Sequence, residues 1–249
     1  MMLSGWVIVA LPQGLVTDIE QRLQKFVLRA KVKIDVTDAS VVLIGVTGPQ
    51  AEAGLAQALA APPARLLEVR CEKAISLITL PGNRFLVACP ADQASAIWAA
   101  LSARMRPAGW NWWQLQAIRS GIATVTAATQ DAFVPQMLAL DTYGGVSFTK
   151  GCYPGQEIVA RTRYLGDLKR YLYYGQCGQT LAAGDSIFEH DTGSAAGIVT
   201  DAAENIEHGW EFLAVVRRDV LSPGRPLRTA TGNTLTELTR AGVTVRDGS

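Results

Sequence analysis

No Cys-x-x-Cys pair occurs in this chain, and its only imidazoles are His190 and His208, so the ligand spacing of a closed zinc site is missing. Cys71, Cys89, Cys152 and Cys177 are too scattered to form a small disulfide framework, which suits a reducing compartment. No apolar run is long enough to cross a bilayer, the stretch from Trp6 to Leu11 being far too short. Met1-Met2-Leu3-Ser4-Gly5 lacks the basic and apolar regions of a secretory signal, so the expected location is the cytoplasm, away from membranes. An excess of one charge is also missing. Lys and Arg number 23 against 22 Asp and Glu, a net charge of +1, which argues against general electrostatic capture of nucleic acid. Neither a fixed-period repeat nor a low-complexity tract is present, which excludes a solenoid. What the chain does have is 249 residues, 49% apolar and 18% charged, enough for a substantial core in two compact domains or one large one.

Trp6 to Ala10 reads as a buried strand, and Thr17 with Glu20 has capping-box spacing for a helix whose face would carry Ile19, Leu23, Phe26, Val27 and Ala30. Lys31 to Val36 alternates polar and apolar residues, and Val41 to Val46 is almost continuously apolar, predicting two further strands. Gly48-Pro49 opens an alanine-rich helix that Pro62-Pro63 stops. Ala74 to Leu80 and Arg84 to Ala88 flank Pro81-Gly82-Asn83 as a hairpin, and Ile97, Trp98, Leu101 and Met105 mark another helix. Strands interleaved with helices predict an α+β region of ferredoxin-like or split βαβ type over residues 1–167. From Leu168 to the end, strand-like runs at Lys169 to Cys177, Ala195 to Asp201 and Trp210 to Arg217 are separated by turn residues, predicting a small antiparallel barrel or sandwich over 168–249.

The densest chemistry lies just before that boundary, in Phe148-Thr149-Lys150-Gly151-Cys152-Tyr153-Pro154-Gly155-Gln156-Glu157. The charge of Lys150 and the free amides of a helix starting near Pro154 would both favour a thiolate at Cys152, and Glu157 would partly oppose them. Such a thiolate could attack, ligate metal or undergo redox chemistry. A packed cysteine in a Gly-Cys-Tyr-Pro-Gly turn would leave the same letters.

Lys150 to Glu157 closely resembles the signature of the YgfZ-type folate-binding proteins, relatives of the glycine-cleavage T-protein implicated in iron–sulfur protein maintenance. Gly144 to Phe148 before it, Val159-Ala160-Arg161 after it, Gly166 with Lys169-Arg170, and Phe133 to Gln136 upstream extend the match. The resemblance implies T-protein-like α+β modules followed by a terminal β-barrel, a tetrahydrofolate-like ligand, and no stably bound metal. It places Gly151, Tyr153, Gly155, Gln156, Glu157 and Arg161 at the folate beside Cys152 and Lys150. Implied partners are the folate, iron–sulfur client or assembly proteins, and a link to tRNA modification. Relatives also carry several strands and a helix ahead of the strand at Trp6, so this chain is expected to be short there and its folate pocket to lack part of a wall.

Some positions admit more than one role. Arg161 follows Glu157 at helix ion-pair spacing, Tyr153 can pack or stack, and Gln156 can bond a ligand or its own loop. Arg119 stands where relatives have an acidic residue, and would alter ligand charge preference. Ala139 replaces an Asn that precedes the glycine pair, removing a polar contact. Arg161, Arg163, Lys169 and Arg170 alternate with Tyr164, Tyr171, Tyr173 and Tyr174 in a pattern that suits either nucleic acid or a solvated strand edge. Trp110, Trp112 and Trp113 could line an aromatic pocket or simply pack, and neither histidine has metal-ligand spacing. Three functions follow: a folate-binding accessory protein using Cys152, a folate-dependent aminomethyltransferase-like enzyme, and an RNA or protein binding module. The transferase is the weaker enzyme reading because no acid/base pair is evident.

Overall fold

The computed structural model describes residues 2–3, 6–36, 40–153, 155–164, 168–221 and 226–241, without the side chains of Met2, Leu3, Trp6, Thr162, Arg163, Tyr164, Thr236 and Glu237. The chain divides into two compact units, 1–116 and 117–249.

In the first unit, β1 (Met2–Leu3) pairs antiparallel with β2 (Trp6–Val7), and α1 spans Val16–Gln24. The expected strand therefore stops at Val7, and the expected helix stops short of Ala30. Leu15 stands at the N-cap with no side-chain hydrogen bond, so Thr17 and Glu20 form no capping box. Tertiary packing of an apolar face sustains most short helices. Leu23 and Phe26 are 46% and 59% exposed, and Leu28 adopts a left-handed φ of 43°, which ends any helical continuation. Lys31 to Val36 forms no strand either, with Val32 and Val36 exposed. Alternation makes a strand only where a sheet edge and a buried face receive it.

The core of this unit follows the expected grammar. β3 (Val41–Thr47) leads into α2 (Ala51–Ala58), then the meander β4 (Val69–Glu72), β5 (Ile75–Leu80) and β6 (Arg84–Pro90), and then α3 (Ala91–Ser102). The sheet runs β3-β6-β5-β4, antiparallel throughout. Ile44, Val46, Leu77, Phe85, Val87 and Cys89 alternate onto one face and pack with Leu55 of α2 and with Ile97 and Leu101 of α3. Gly82 and Asn83 turn the β5–β6 hairpin with φ of 79° and 52°, a conformation their small or polar side chains accept. β4 escapes sequence reading because all four of its residues are exposed. α4 (Trp110–Arg119) places Trp113 on the opposite face of the sheet, so close to Gly45 that a Cβ there would lie 2.6 Å from the indole.

In the second unit, α5 (Gln156–Tyr164) precedes β7 (Arg170–Cys177), β8 (Ser186–Glu189), β9 (Ala195–Asn205), β10 (Gly209–Arg217), β11 (Leu227–Thr229) and β12 (Thr234–Arg240). These six strands close in the order β10-β7-β12-β11-β8-β9, so the antiparallel strands form a barrel and not a sandwich. Closure leaves an interior filled by Tyr173, Ile187, Val199, Phe212 and Val216. Gly197 marks how tightly the ladders meet: an added Cβ would lie 2.4 Å from the Val215 carbonyl oxygen.

Candidate functional site: the cysteine loop

Two anchors shape the chain around Cys152. Pro135–Leu138 forms a single 3-10 turn in which Gln136 is buried, and its Nε2 donates to the Val159 carbonyl of α5 at 2.6 Å. Gln136 Oε1 is sealed without a partner. Closer to the thiol, the Gln156 N–H donates to the Tyr153 carbonyl at 3.1 Å, and the Tyr153 N–H donates back to Gln156 Oε1 at 3.3 Å. This reciprocal pair starts α5 and engages the side-chain oxygen of Gln156 with its own loop. Gly155 sits between them at φ 84°, where a side chain would strain the backbone.

The Lys150 N–H donates to Ser147 Oγ at 3.2 Å, and the Lys150 ammonium rests over the Tyr153 ring, 4.3 Å from its centroid. Gly151 has open space around its missing Cβ. Cys152 is exposed between them, as is Cys71, which contacts Ser76 on a strand edge, whereas Cys89 and Cys177 are buried. Glu157 lies in the first turn of α5, where a carboxylate complements the helix dipole. Glu157 and Arg161 are both exposed, and they close no ion pair despite their spacing. Pro154 and Gly166, and the side chains of Arg163 and Tyr164, lie outside the described residues.

Ala139 ends the 3-10 turn in the left-handed region at φ 55°. Asparagine tolerates that conformation better than alanine does. Ala139→Asn is expected to raise stability by about 0.5–1 kcal/mol in a denaturant titration, and Ala139→Val to lower it.

Arg119 is engaged in an ion pair within the second unit. Its Nε donates to Glu211 Oε2 at 2.9 Å and its Nη2 to Glu211 Oε1 at 2.6 Å, so its charge is committed within the barrel unit. Glu211 is 2% exposed and also accepts from Asn205 Nδ2 at 2.6 Å. Burial alone would raise its pKa, but the hydrogen bonds from Arg119, Asn205 and Tyr174 together hold it below the ordinary value. Asp201, also buried, accepts the Thr124 N–H at 2.9 Å, and burial pushes its pKa up to about 6.

The tyrosines of β7 are largely structural. Tyr173 belongs to the barrel core, Tyr174 accepts a hydrogen bond from Gln176, and Tyr171 carries Arg240 at 4.0 Å from its ring centroid. His190 and His208 are exposed beside Asp191 and Glu207. Among the described residues no group of three or more His, Cys, Asp or Glu is placed to hold a metal, and no helix is long and apolar enough to cross a membrane. Sequence reading counted Gln136 in the upstream match without seeing its buried anchoring role, and passed over Asp201 and Glu211. The available signal for the last two was a carboxylate set inside an otherwise apolar strand.

No family model matches the chain. The tRNA-modifying protein YgfZ of Klebsiella pneumoniae (strain 342) is 34% identical over 207 residues, which cover 81% of this chain and 63% of that protein. The tRNA-modifying protein YgfZ of Edwardsiella ictaluri (strain 93-146) is 40% identical over 156 residues, 61% of this chain and 46% of the relative. The chain thus spans less than two thirds of the length of these curated relatives. Among solved structures, the glycine cleavage system aminomethyltransferase T from Bartonella henselae has a TM-score of 0.61 at 17% identity, over 92% of this chain and 66% of the other. That likeness shows the T-protein fold.

Proposed function

The chain belongs to the YgfZ-type proteins, and from that premise we propose that it is a folate-binding accessory protein that supports assembly or repair of iron–sulfur proteins through the thiol of Cys152. The observation that carries the proposal is the display of this thiol. Cys152 is exposed, and the loop around it is held by Ser147 on one side and by the Tyr153–Gln156 pair on the other. An accessible thiol in a fixed loop can exchange with disulfides or ligate iron transiently.

The folate would meet Gly151, Tyr153, Gly155, Gln156, Glu157 and Arg161. In this reading Gln156 offers its amide NH2 to the heterocycle while its oxygen holds the loop, and exposed Arg161 offers a cation to a glutamate tail. Lys150 acts beside Cys152 as a cation steadied by the Tyr153 ring. The relatives' description as tRNA-modifying proteins directs the choice of client toward iron–sulfur enzymes of tRNA modification.

A strain lacking its own copy and expressing Cys152→Ala is expected to lose activity of iron–sulfur enzymes at normal abundance of the protein. A strain indistinguishable from wild type would reassign the motif to folding. Tetrahydrofolate at about a hundredfold excess over its Kd is expected to stabilise the protein by about 2.7 kcal/mol. Product formation from tetrahydrofolate and an amine donor would instead make the protein a transferase. Salt-sensitive RNA binding lost on neutralising Lys169 and Arg170 would make it a binding module.

A further inference from the structure

β3 is an outer strand of its sheet, bonded on one side to β6, and among the described residues no strand pairs with its other side. Two bonds at its ends fix which backbone groups that side carries. The Gly48 N–H donates to the Asn83 carbonyl at 3.3 Å, and the Ala91 N–H donates to the Ser40 carbonyl at 3.2 Å. In an antiparallel ladder successive residues alternate between facing the partner strand and facing away. Val42, Ile44 and Val46 therefore face β6 with Ser40 and Gly48, and Val41, Leu43, Gly45 and Thr47 turn their N–H and carbonyl groups outward. Leu43 is 43% exposed and Gly45 is exposed as well, so the edge is open to an incoming strand. Edges of this kind are normally blunted by lysine, proline or a bulge. Val41–Thr47 has none of these, with no charged residue in the strand and an unbroken register against β6.

The face of the sheet that Trp113 covers makes a narrow demand on the strand that fills this edge. Leu43 projects from that face, and two residues further on Gly45 leaves it bare beneath the indole. An antiparallel partner must place a small residue opposite Leu43 and an apolar one opposite Gly45, two positions apart and without charge. β3 itself has that order. We propose that β3 pairs with β3 of a second copy of this chain, antiparallel about a two-fold axis at Ile44. Leu43 then lies opposite Gly45 of the second copy and Val41 opposite Thr47, so every outward residue meets one that also faces out. A shift by two residues in either direction leaves one outward residue of each strand outside the ladder, and a shift by one sets outward residues against inward ones. Each Leu43 covers Gly45 of the other copy and reaches the indole over it, which takes both exposed leucines out of water. The two four-stranded sheets become one continuous sheet. This interface is independent of the role given to Cys152.

The test is sedimentation velocity of the full chain over a concentration series, with amide hydrogen exchange read residue by residue at the low and high ends. Wild type is expected to move from the mass of one chain toward that of two, and the Leu43 and Gly45 amides to gain protection in step with it, by roughly tenfold or more. The Ile44 and Val46 amides, already directed at β6, should change far less. Leu43→Lys puts a charge of one sign on both sides of the axis and should weaken association by roughly tenfold to a hundredfold. Leu43→Glu should do the same. An equimolar mixture of the two variants should recover the dimer, because the lysine and the glutamate then lie diagonally across the axis within reach of each other. A wild-type protein monomeric at every concentration, or a dimer that Leu43→Lys leaves as tight as wild type, would overturn the proposal. Protection of Leu43 and Gly45 that does not vary with concentration would put another segment of the same chain on this edge and overturn it too. Should both variants fail to fold, the concentration dependence of these amides in wild type still decides.

Discussion

Arg119→Met is expected to cost about 2–3 kcal/mol of stability in the unit that holds the barrel, less than a fully buried pair because the Arg119 side chain is 39% exposed and its charge is partly screened, and to lower Tm by roughly 5 °C or more. The reason lies with the partner left behind. Glu211 is 2% exposed, and without Arg119 its carboxylate would keep only Asn205 and Tyr174 as donors. A buried carboxylate stripped of its cation must either bear its lost hydration or take up a proton. Trp210, next to Glu211 in β10, is a natural fluorescence reporter for the transition. The double variant Arg119→Met/Glu211→Leu is expected to recover most of the loss, because no charge then remains buried. A single variant as stable as wild type would show that the pair contributes nothing. The pH dependence gives a second check. The folded-state pKa of Glu211 is depressed, so its contribution is present above the unfolded value and is lost as pH falls through the folded one. The Arg119→Met defect should therefore be smaller in acid than at pH 7.

Asp201 is expected to act with the opposite sign. Burial raises its pKa from 3.8 to about 6, against the lowering effect of the Thr124 N–H. The folded state then holds a proton that the unfolded chain has already released. Stability should fall as pH rises from about 4 to about 6, by roughly 3 kcal/mol across the interval, and stay lower above it. Asp201→Asn cannot ionise, and its side-chain oxygen can still accept from Thr124. The variant is expected to lack this slope, to match wild type near pH 4 and to equal or exceed it at pH 7. Parallel profiles for the two proteins in denaturant titrations would rule Asp201 out as the source. Because Glu211 loses its contribution in acid while Asp201 becomes costly above it, wild-type stability should peak at mildly acidic pH.

Local periodicity was enough for the parts of the fold that lie close together in the chain. β3, the β5–β6 hairpin, α3, β7 and β10 are each legible in a few residues, because a strand or helix with one buried face writes its period into the sequence. The same rule predicted a strand at Lys31 to Val36 and helix through Phe26 to Ala30. It failed there because, among the described residues, no sheet edge or core face receives them. β4 left no pattern to read, since it is exposed along its whole length.

Residue identity around Cys152 was likewise sufficient to place the chain in its family, because glycine, cysteine, proline and glutamine at fixed spacing resemble a signature whatever surrounds them. That the Gln156 oxygen holds its own loop rests on a reciprocal hydrogen bond that the letters leave open. Arg119 needed more: its partner lies 92 residues away, so no window along the chain joins them. Arg84 reads as an ordinary polar end of a strand until burial and the Trp113 indole are brought around it. The sequence by itself determined the family and those strands and helices that bury one face, which depend on short-range spacing. Only the tertiary structure decided which charges are neutralised and which stay unpaired, because burial and Coulomb partners are set by neighbours in space.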